Sequence, residues 1–422
     1  MNVLFLSPDF VLPAERGLRV RALSQLRVLA SIGQVEHITL LSLADSVVSG
    51  ETLRALERKL PKVAAVQPVT VPPSIRKNPK TLPRIAFLRL FRGKPYLIAK
   101  CDSSQMRALV RETLKNRRFD VVYLGYFSML AYLPDVRELA PRARVVLEEH
   151  NVEWRIFDRL AASLRPPMNA AVKWEARAMR TFEKRSLREV DAVIAISDAD
   201  AKSLRELAGV EAIVVPPCIE PGPPRKDSSQ TSNFGYIGHL SWQPNAYGLD
   251  WFCTKVWPFA RRNIPGVTLT IAGPGLRASP GGALDVPRRW AQPGIKTVGF
   301  VQDLEDIYRG SAGMVAPVIG GSGVRMKLLE TMSAGMPTVT TGDGAAGLGV
   351  EHGREVLIAD DPEDFARCMA QIASDGALRE RLRHAGYAFL AARHSEPFAR
   401  VRLERALGIA EESYRAQAAL PA

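Results

Sequence analysis

Residues 318–337 read VIGGSGVRMKLLETMSAGMP and place two cations and one acid at the start of a predicted helix. Arg325 and Lys327 lie in its first turn, and Glu330 follows three residues after the lysine. The N-terminus of a helix carries partial positive charge, so cations there are unfavourable unless an anion lies in front of them. We therefore expect a multiply charged anion such as a diphosphate, with Glu330 accepting hydrogen bonds from vicinal hydroxyls such as those of a ribose.

A simpler interpretation of the same residues stays open. Lys327 and Glu330 are three residues apart and could form a surface ion pair, which would contribute only about 0.2–0.5 kcal/mol to stability. His150, in VVLEEHNVEW, stands at the end of an apolar run. Parallel sheets place ligands at the carboxyl ends of their strands. His150 is therefore either a ligand contact or a hydrogen-bonded structural histidine.

Two further motifs resemble binding sites but fit structural roles better. Gly342, Gly344 and Gly347 match G-x-G-x-x-G, yet the stretch that follows is too short and glycine-broken for the helix of a dinucleotide site. Asp198 and Asp200 have the spacing of a D-x-D metal site, but capping of a helix by the preceding serine explains them better.

The surrounding sequence alternates between short apolar runs and helical patterns. NVLFLSP, HITLLSL, VVYLGY, RVVLEEH and AVIAIS precede a proline-rich stretch, and FGYIGHL, TLTIAG, IKTVGF, AGMVAPV, PTVTT and EVLIAD follow it. Near-continuous apolar runs with helices between them are typical of buried parallel strands. We also expect a helix from Ala246 with Asn245 as its N-cap, a helix start at Asp361, and a last helix from about Pro397 to Ala416.

This pattern predicts an α/β protein with two doubly wound, Rossmann-like domains facing an interdomain cleft. We place the N-terminal, acceptor-binding domain at 1–215 and the linker at 216–232, where proline is dense. The C-terminal, donor-binding domain is expected at 233–395. Residues 396–422 are expected to form a C-terminal helix that returns to the N-terminal domain.

The composition narrows the class of partner. The net charge of +13 points to anionic partners: phosphorylated small molecules, anionic lipid or nucleic acid. The four cysteines lack metal-ligand spacing, which argues against a zinc or redox site and fits a reducing cytoplasm. Nothing reads as a signal peptide, and no apolar run reaches 18 residues, so we expect a cytoplasmic protein.

One segment carries much of the positive charge. Residues 76–118 hold 13 Lys or Arg and only two acids, with aromatic residues interleaved. The segment could be a solvated basic face, a contact for an anionic membrane or acceptor, or a nucleic-acid surface. We expect no nucleic acid, and we keep peripheral association with the inner face of a membrane as a hypothesis.

The chain as a whole resembles family 4 of the glycosyltransferases, two-domain GT-B enzymes that use a nucleotide-sugar donor. The resemblance rests on the order and spacing of SPDFVLPAERGLRVR, EEHNVEWRIFDR, FEKRSLREVDAVIAIS, VVPPCIE, YIGHLSWQPN, IAGPGL, VGFVQDLEDIY and GGSGVRMKLLETMSAGMPTVTT. It implies a retaining transfer, with a hexose as the expected sugar. We expect no cofactor, and no metal is needed because Arg325 and Lys327 would neutralise the departing diphosphate.

The resemblance also implies roles for single residues. His150 would contact the transferred sugar, Phe300 and Val301 would hold the base, and Glu330 would bind the ribose. Donor-binding residues are expected at Gly17, Gly238, Phe300, Val301, Gly321, Ser322, Gly323 and Glu330, and catalytic residues at His150, Arg325 and Lys327.

Two positions depart from the family pattern. Ser322 stands where members usually carry an acid, and GHLSWQPNAYGLDWFCT lacks the basic residues that usually follow the first strand of the C-terminal domain. We expect Arg325 and Lys327 to take over the phosphate role of those missing residues. The alternatives are a nucleotide-sugar epimerase or hydrolase of the same architecture, or a non-catalytic basic protein that binds membrane or nucleic acid.

Overall fold

The computed structural model has two compact units. The first comprises residues 1–217 together with the chain from residue 397 onward, and the second comprises 218–396. The structure describes residues 1–14, 17–71, 89, 93–162, 164–223, 225, 231–277, 284–320 and 326–409.

A parallel sheet forms the centre of the first unit, with strand order β3-β2-β1-β5-β6-β7-β8 and β4 paired to β2. The strands are β1 (Asn2–Ser7), β2 (His37–Ala44), β3 (Val63–Ala65), β4 (Val69–Thr70), β5 (Val121–Leu124), β6 (Arg144–Glu149), β7 (Ala192–Ala195) and β8 (Ala212–Val214). The central strands are buried throughout because helices cover both faces, which explains their continuous apolar sequences.

The helices of this unit connect successive strands. They are α1 (Gly17–Ser31), α2 (Gly50–Lys59), α3 (Tyr96–Cys101), α4 (Ser104–Asn116), α5 (Leu133–Leu139), α6 (Glu153–Ala162), α7 (Met168–Ser186), α8 (Asp198–Ala208) and α16 (Glu396–Ala406), with a 3₁₀ turn at Phe127–Tyr132. Ser197 caps α8 by accepting a hydrogen bond from the Asp200 N–H, so the predicted capping role of this stretch is confirmed.

The second unit is built on a six-stranded parallel sheet of order β11-β10-β9-β12-β13-β14. Its strands are β9 (Asn233–Ile237), β10 (Thr268–Ala272), β11 (Ile295–Gly299), β12 (Gly313–Ala316), β13 (Thr338–Thr340) and β14 (Leu357–Ile358). All the apolar runs that the sequence singled out therefore form strands, and the prediction of parallel sheets is confirmed.

Seven helices of the second unit are described. They are α9 (Gln243–Trp251), α10 (Trp257–Asn263), α11 (Glu305–Arg309), α12 (Met326–Ser333), α13 (Gly342–Ala345), α14 (Pro362–Ser374) and α15 (Gly376–Arg393), with a π turn at Phe252–Val256. Asp361 caps α14 as predicted, since its carboxylate accepts the N–H groups of Glu363 and Asp364. α13 spans only four residues, in agreement with the interpretation that the glycine motif there does not open the long helix of a dinucleotide site.

The predicted cap of α9 is wrong. The helix begins at Gln243 with Trp242 as its N-cap, which places Asn245 inside the first turn. Pro244 suits that turn because proline lacks the N–H that a first turn leaves unpaired. The Asn245 side chain is therefore available for other contacts. The final described helix, α16, starts at Glu396 and ends at Ala406, and residues 410–416 of the expected helix lie outside the described residues.

No helix within the described ranges is both long and apolar enough to cross a bilayer.

Candidate active site

The candidate donor site lies at the carboxyl edge of the sheet in the second unit. The first strand of this unit, β9, pairs with β10 on one side and with β12 on the other. The loops that follow β9 and β12 therefore leave the sheet in opposite directions and open a crevice between them. Such a switch in strand order is where open α/β sheets bind ligands. Gly238 follows β9, and the glycine-rich stretch that precedes α12 follows β12.

Lys327, the second residue of α12, is directed toward the β9 loop. Its Nζ donates a hydrogen bond to Asn245 Oδ1 at 3.3 Å and lies 3.8 Å from the centroid of the Tyr236 ring. It makes no ion pair with Glu330 within 4.0 Å, so the interpretation of these two residues as a surface ion pair is wrong. Burial lowers the pKa of Lys327 to about 7, although the charge of Glu330 partly opposes that shift.

Gly238 provides the space that Lys327 occupies. A β-carbon at this position would lie 2.9 Å from Lys327 Nζ, 3.0 Å from Tyr236 Oη and 3.1 Å from Asn245 Nδ2. Any other residue at position 238 would therefore displace the lysine head group. The loop after β9 lacks the basic residues expected there. Lys327 reaches the same loop from α12 and supplies a positive charge instead.

Glu330 lies one turn further along α12, at the wall of a cavity of about 670 Å³ within the second unit. The side chain is exposed, yet the surrounding protein removes enough water to raise its pKa, and the nearby charge of Lys327 opposes this rise. Other residues that line the cavity include Pro223, Arg225, Glu305, Tyr308 and Ser333.

Polar groups on the cavity wall are held in place by one another. Arg225 donates to Glu305 at 2.7 Å and to the Ala334 carbonyl at 2.9 Å. Burial, followed by the charge of Glu330, raises the pKa of Tyr308 to about 12, so its hydroxyl is protonated at neutral pH. The cavity lining therefore combines the carboxylates of Glu220, Glu305 and Glu330 with fixed donors, which suits a polar, hydroxyl-bearing ligand.

The two residues expected to hold a base follow β11. Phe300 is 73% exposed, an unusual environment for a phenylalanine, and its ring is available for stacking. Val301 is half-buried and packs against the cluster of Ala272, Ile307, Met314 and Met336. Gly299 has a φ of +72°, which turns the chain outward just before the aromatic ring.

Four predicted residues, Gly321, Ser322, Gly323 and Arg325, lie outside the described part of the chain. The neighbouring Gly320 is described, and its N–H donates to Asp343 Oδ2 at 2.7 Å. Within the described residues, no group of three or more His, Cys, Asp or Glu is arranged to hold a metal ion. The expectation that no metal is required stays a prediction.

In the first unit, His150 directly follows β6 and is 8% exposed. Its Nε2 has no hydrogen-bond partner among the described residues and lies 3.6 Å from Glu148 Oε1. Tyr126 packs edge-on against the imidazole, with ring centroids 5.1 Å apart. A buried nitrogen without a partner is uncommon, and it favours a ligand contact over the fully hydrogen-bonded structural role.

The carboxylate of Glu148 lies next to the His150 ring and is held by several hydrogen bonds. It accepts hydrogen bonds from Arg21 Nε at 2.6 Å, Gln25 Nε2 at 2.9 Å and Tyr123 Oη at 2.8 Å. Burial alone would raise the pKa of this carboxyl, but Arg21 and His150 lower it below its usual value. Glu148 is therefore a fixed negative charge beside the imidazole of His150.

A cluster of buried acids adjoins His150 and was not predicted. Glu153 accepts from Tyr126 Oη at 2.7 Å, and Glu183 accepts the N–H groups of Glu153 and Trp154 at 3.3 Å each. Both oxygens of Glu149 lack a partner among the described residues. Burial and the neighbouring acids raise the pKa of Glu149 well above its usual value, which favours the neutral form of its carboxyl.

Gly17 is the first residue of α1. A β-carbon there would meet no atom of the described chain within 4 Å, so its backbone faces open space. The structure thus places Gly17 and His150 in the first unit. In the second it brings Gly238 and Lys327 together, with Glu330 one turn further along α12 at the wall of the cavity.

Comparison with solved structures identifies the architecture. HepE of Anabaena, solved in complex with UDP and glucose, aligns with a TM-score of 0.62 at 15% identity, over 97% of this chain and 99% of that one. Sucrose-phosphate synthase from Thermosynechococcus elongatus also scores 0.62, at 15% identity over 100% of both chains. The lipopolysaccharide outer core galactosyltransferase WaaB scores 0.61, at 12% identity over 97% and 99%. These likenesses establish the GT-B fold.

Two family models match successive parts of the sequence. A "Glycosyl transferase 4-like domain" matches residues 14–218, and "Glycosyl transferases group 1" matches residues 231–375. Together they account for well over half of the chain. The chain is a GT-B glycosyltransferase.

One relative is named for the gene region that encodes it and not for a reaction. An uncharacterized 44.6 kDa protein in the cps region of Klebsiella pneumoniae is 29% identical over 156 residues. The match spans 36% of this glycosyltransferase and only about two fifths, 39%, of the relative.

Sequence analysis did not predict several residues that contribute to the candidate site of this glycosyltransferase. Asn245 and Tyr236 contact Lys327, while Arg225 and Tyr308 line the cavity at Glu330. Tyr236 lies within the apolar run FGYIGHL, which indicated only a strand. Arg225 lies in the stretch assigned to the linker. Only the absence of cations after β9 indicated that a residue distant in sequence would have to reach that loop.

Proposed function

We propose that the protein transfers a sugar from a nucleotide-sugar donor to an acceptor hydroxyl, with retention of the anomeric configuration. The observation that carries the proposal is Lys327, whose ammonium reaches the loop after β9 at a topological switch point with Glu330 one turn away. The two groups suit two different parts of a nucleoside diphosphate, its phosphates and its ribose. Lys327 would bind the phosphates, and Glu330 would accept hydrogen bonds from the ribose hydroxyls.

The absence of a carboxylate on the Lys327 ammonium supports its assignment to phosphate. Among the described residues its nearest polar partner is a neutral amide oxygen, and burial lowers its pKa to about 7. A buried cation without a counter-charge is costly, and an incoming diphosphate would supply that charge. Arg325, which lies outside the described residues, would share this role as expected from its position in the sequence.

The chemistry follows from charge development on the leaving group. The bond between the anomeric carbon and the diphosphate oxygen breaks, and the acceptor oxygen forms the new bond to the same carbon. The acceptor proton passes to the leaving phosphate oxygen on the same face. The departing diphosphate gains negative charge, and a preorganised cation stabilises it more strongly in the transition state than in the ground state.

The first unit would contribute His150. Its Nε2 has no hydrogen-bond partner in the described part of the chain and is available to a sugar hydroxyl, and Glu148 at 3.6 Å fixes the local charge. We assign to His150 a contact with the transferred sugar, and to Gly17 an open backbone surface for the donor.

The substrate class is also a proposal. UDP and glucose are bound in HepE of Anabaena, which supports a nucleotide-sugar donor for this chain. The relative in a cps region supports a role in the synthesis of a polysaccharide or related glycan. We expect a hexose donor, an acceptor that is anionic or lipid-linked, and a cytoplasmic location with no nucleic-acid partner.

A panel of UDP-, GDP-, ADP- and dTDP-sugars tests the proposal. One donor should release nucleotide, and release should rise when a glycan or lipid-linked acceptor is added. Release that is equal with and without every acceptor would favour a hydrolase, and conversion of the sugar without release would favour an epimerase. No turnover or binding with any donor would contradict the proposal.

A further inference from the structure

Several cations of residues 76–118 are paired within the first unit. Much of that segment lies outside the described residues. Of its described cations, Arg89, Lys94, Arg107 and Arg111 each bind a carboxylate of the same unit. The charge of these four is neutralised internally, so they are weak candidates for binding a ligand.

The second unit differs, because one wall of the cavity at Glu330 carries a cation with unmatched donors. Residues 219–223, which we call the strap, form part of this wall. The Gly222 N–H donates to the Ser333 carbonyl at 2.8 Å, and Ser333 Oγ donates to the Glu220 carbonyl at 2.7 Å. A β-carbon at Gly222 would lie 2.7 Å from the same Ser333 oxygen, so the two backbones are in direct contact. The strap is therefore held against the end of α12.

Arg225 extends the wall beyond the strap and is fixed at two points. Its Nε donates to the Ala334 carbonyl at 2.9 Å, and its Nη2 donates to Glu305 Oε2 at 2.7 Å. A guanidinium has five N–H groups, so these two bonds leave three without an acceptor among the described residues. The side chain is only 19% exposed. A largely buried guanidinium with unmatched donors at a cavity wall favours a ligand that supplies an acceptor.

Tyr308 adds a second donor to the same wall. The Arg225 guanidinium lies 5.7 Å from the centroid of the Tyr308 ring. Burial raises the pKa of Tyr308 to about 12, so the hydroxyl keeps its proton at neutral pH. The nearby carboxylates are already engaged: the two oxygens of Glu305 face Arg225 and Arg309, and Glu220 Oε1 accepts a backbone N–H. This wall therefore offers more free donors than free acceptors.

The base of a nucleotide bound at Lys327 and Glu330 would lie against this wall. Lys327, Glu330 and Ala334 follow one another at spacings of three and four residues, which places them along one side of α12 and its end. The first two are assigned to phosphate and ribose, so the base continues toward Ala334. Val301, which is expected to hold the base, packs against the same apolar cluster as Tyr308 and Ala334. The base is therefore placed beside the free donors of the wall.

We propose that Arg225 selects the nucleobase of the donor by donating to a carbonyl oxygen at C4 of a pyrimidine or C6 of a purine. The inference rests on the proposed function, because it requires the nucleotide to occupy this cavity. Uracil, thymine, guanine and hypoxanthine carry such a carbonyl, whereas cytosine and adenine carry an amine at that position. An amine facing the guanidinium would set donor against donor and leave buried N–H groups unpaired. The expected donor is therefore a nucleotide-sugar with a carbonyl-bearing base.

Calorimetry of the full-length wild type with matched nucleotides tests this inference. UDP and CDP differ at C4, and IDP and ADP differ at C6. UDP should bind about tenfold or more tightly than CDP, and IDP about tenfold or more tightly than ADP, as expected for a hydrogen bond to a charged group. Equal affinities within both pairs would overturn the role of Arg225 and leave the proposed function intact. No binding of any of the four would overturn both.

Two variants assign the preference to Arg225. Arg225→Met removes every donor of the side chain, and the ratio of UDP affinity to CDP affinity should fall to about one. Arg225→Lys keeps one charged donor group and should retain part of the preference. Because Arg225 also holds the wall in place, the readout is the ratio of the two affinities and not either affinity alone. A wild-type ratio in Arg225→Met would contradict the proposal.

Two controls separate base recognition from loss of charge and from ribose binding. Arg367→Met removes an exposed arginine of the same unit that pairs with Asp364 at 2.6 Å outside the cavity lining, and it should keep the wild-type ratio. Glu330→Gln should weaken UDP and CDP alike and so also keep the ratio. A ratio that falls in Arg367→Met as it does in Arg225→Met would show a general charge effect and would overturn the assignment to Arg225.

Discussion

At the scale of single residues, the surroundings of Lys327 make donor binding depend on pH. The free protein holds this lysine with a pKa of about 7, because burial disfavours its charged form. A diphosphate would favour the charged form and raise that pKa. Above pH 7, donor binding must then take up a proton, so affinity should fall as pH rises, by up to about tenfold per pH unit.

Calorimetry with a nucleotide-sugar between pH 6.5 and 9 measures this dependence. Lys327→Met should bind more weakly at pH 7 and should lose most of the pH dependence in this range. If the variant keeps the slope of the wild type, the titrating group is not Lys327.

Glu330 supports a separate prediction about the ribose. Glu330→Gln keeps the size of the side chain but loses the charge-assisted hydrogen bonds, each worth about 1.5–3 kcal/mol, so nucleotide affinity should fall roughly tenfold or more. The matched control is a ligand without ribose hydroxyls. A 2′,3′-dideoxynucleotide should bind the wild type and the variant equally. An unchanged affinity for the ribonucleotide would remove Glu330 from the donor site.

At the scale of elements, the contact between α6 and α7 depends on a buried acid. Glu183 of α7 accepts the first N–H groups of α6 at Glu153 and Trp154, at 3.3 Å each. Burial raises the pKa of Glu183 to about 8, although those two hydrogen bonds lower it in part. The unfolded chain therefore releases this proton at lower pH than the native state does. The free energy of unfolding should consequently decrease as pH rises from about 5 to 8.

Glu183→Gln tests this assignment because it keeps a carbonyl acceptor for α6 and removes the ionisation. Denaturant unfolding at pH 5, 6.5 and 8 should show a smaller decline in stability for the variant than for the wild type. Some decline should remain, since the pKa values of Glu149 and Glu153 are also raised. Parallel pH profiles for both proteins would mean that Glu183 does not titrate in this range.

The elements were largely predictable from sequence, and the contacts between them were not. Apolar runs predicted the strands because a parallel strand covered on both faces must be apolar throughout. The cap at Asn245 was mispredicted because asparagine is a good N-cap in general, whereas here the proline before it already occupies the first turn. Its side chain instead bonds the His239 carbonyl and Lys327.

The candidate site was predictable only where its residues share a loop or helix. Lys327 and Glu330 lie within one turn of α12, so their spacing alone indicated a joint role. The partners of Lys327 come from a strand about 90 residues earlier and from the helix that follows it, and no local pattern connects them. The buried acids around His150 were missed for the same reason, since Glu183 approaches from another helix.

At the scale of the whole molecule, the cations that give the net charge of +13 differ in how far they are exposed to solvent. Lys327 is half-buried and suited to one phosphorylated ligand, whereas the cations on one face of α7, Lys173, Arg177, Arg180 and Lys184, are exposed. The two features therefore predict different salt dependence. Salt should weaken any contact made by the exposed cations strongly and affect the half-buried donor contact less, because screening acts mainly on exposed charges.

The most direct test of the proposed function is the turnover number of Lys327→Ala, measured with the donor that the panel identifies. Loss of one preorganised charge on the leaving group should cost about 2.7–4 kcal/mol, or a hundredfold or more in kcat. The melting temperature should not fall, since no buried ion pair is broken. Lys255→Ala, an exposed lysine of the same unit, should leave both quantities unchanged. A Lys327→Ala variant with near-wild-type kcat and an unaltered melting temperature would contradict the assignment of Lys327 to the departing diphosphate.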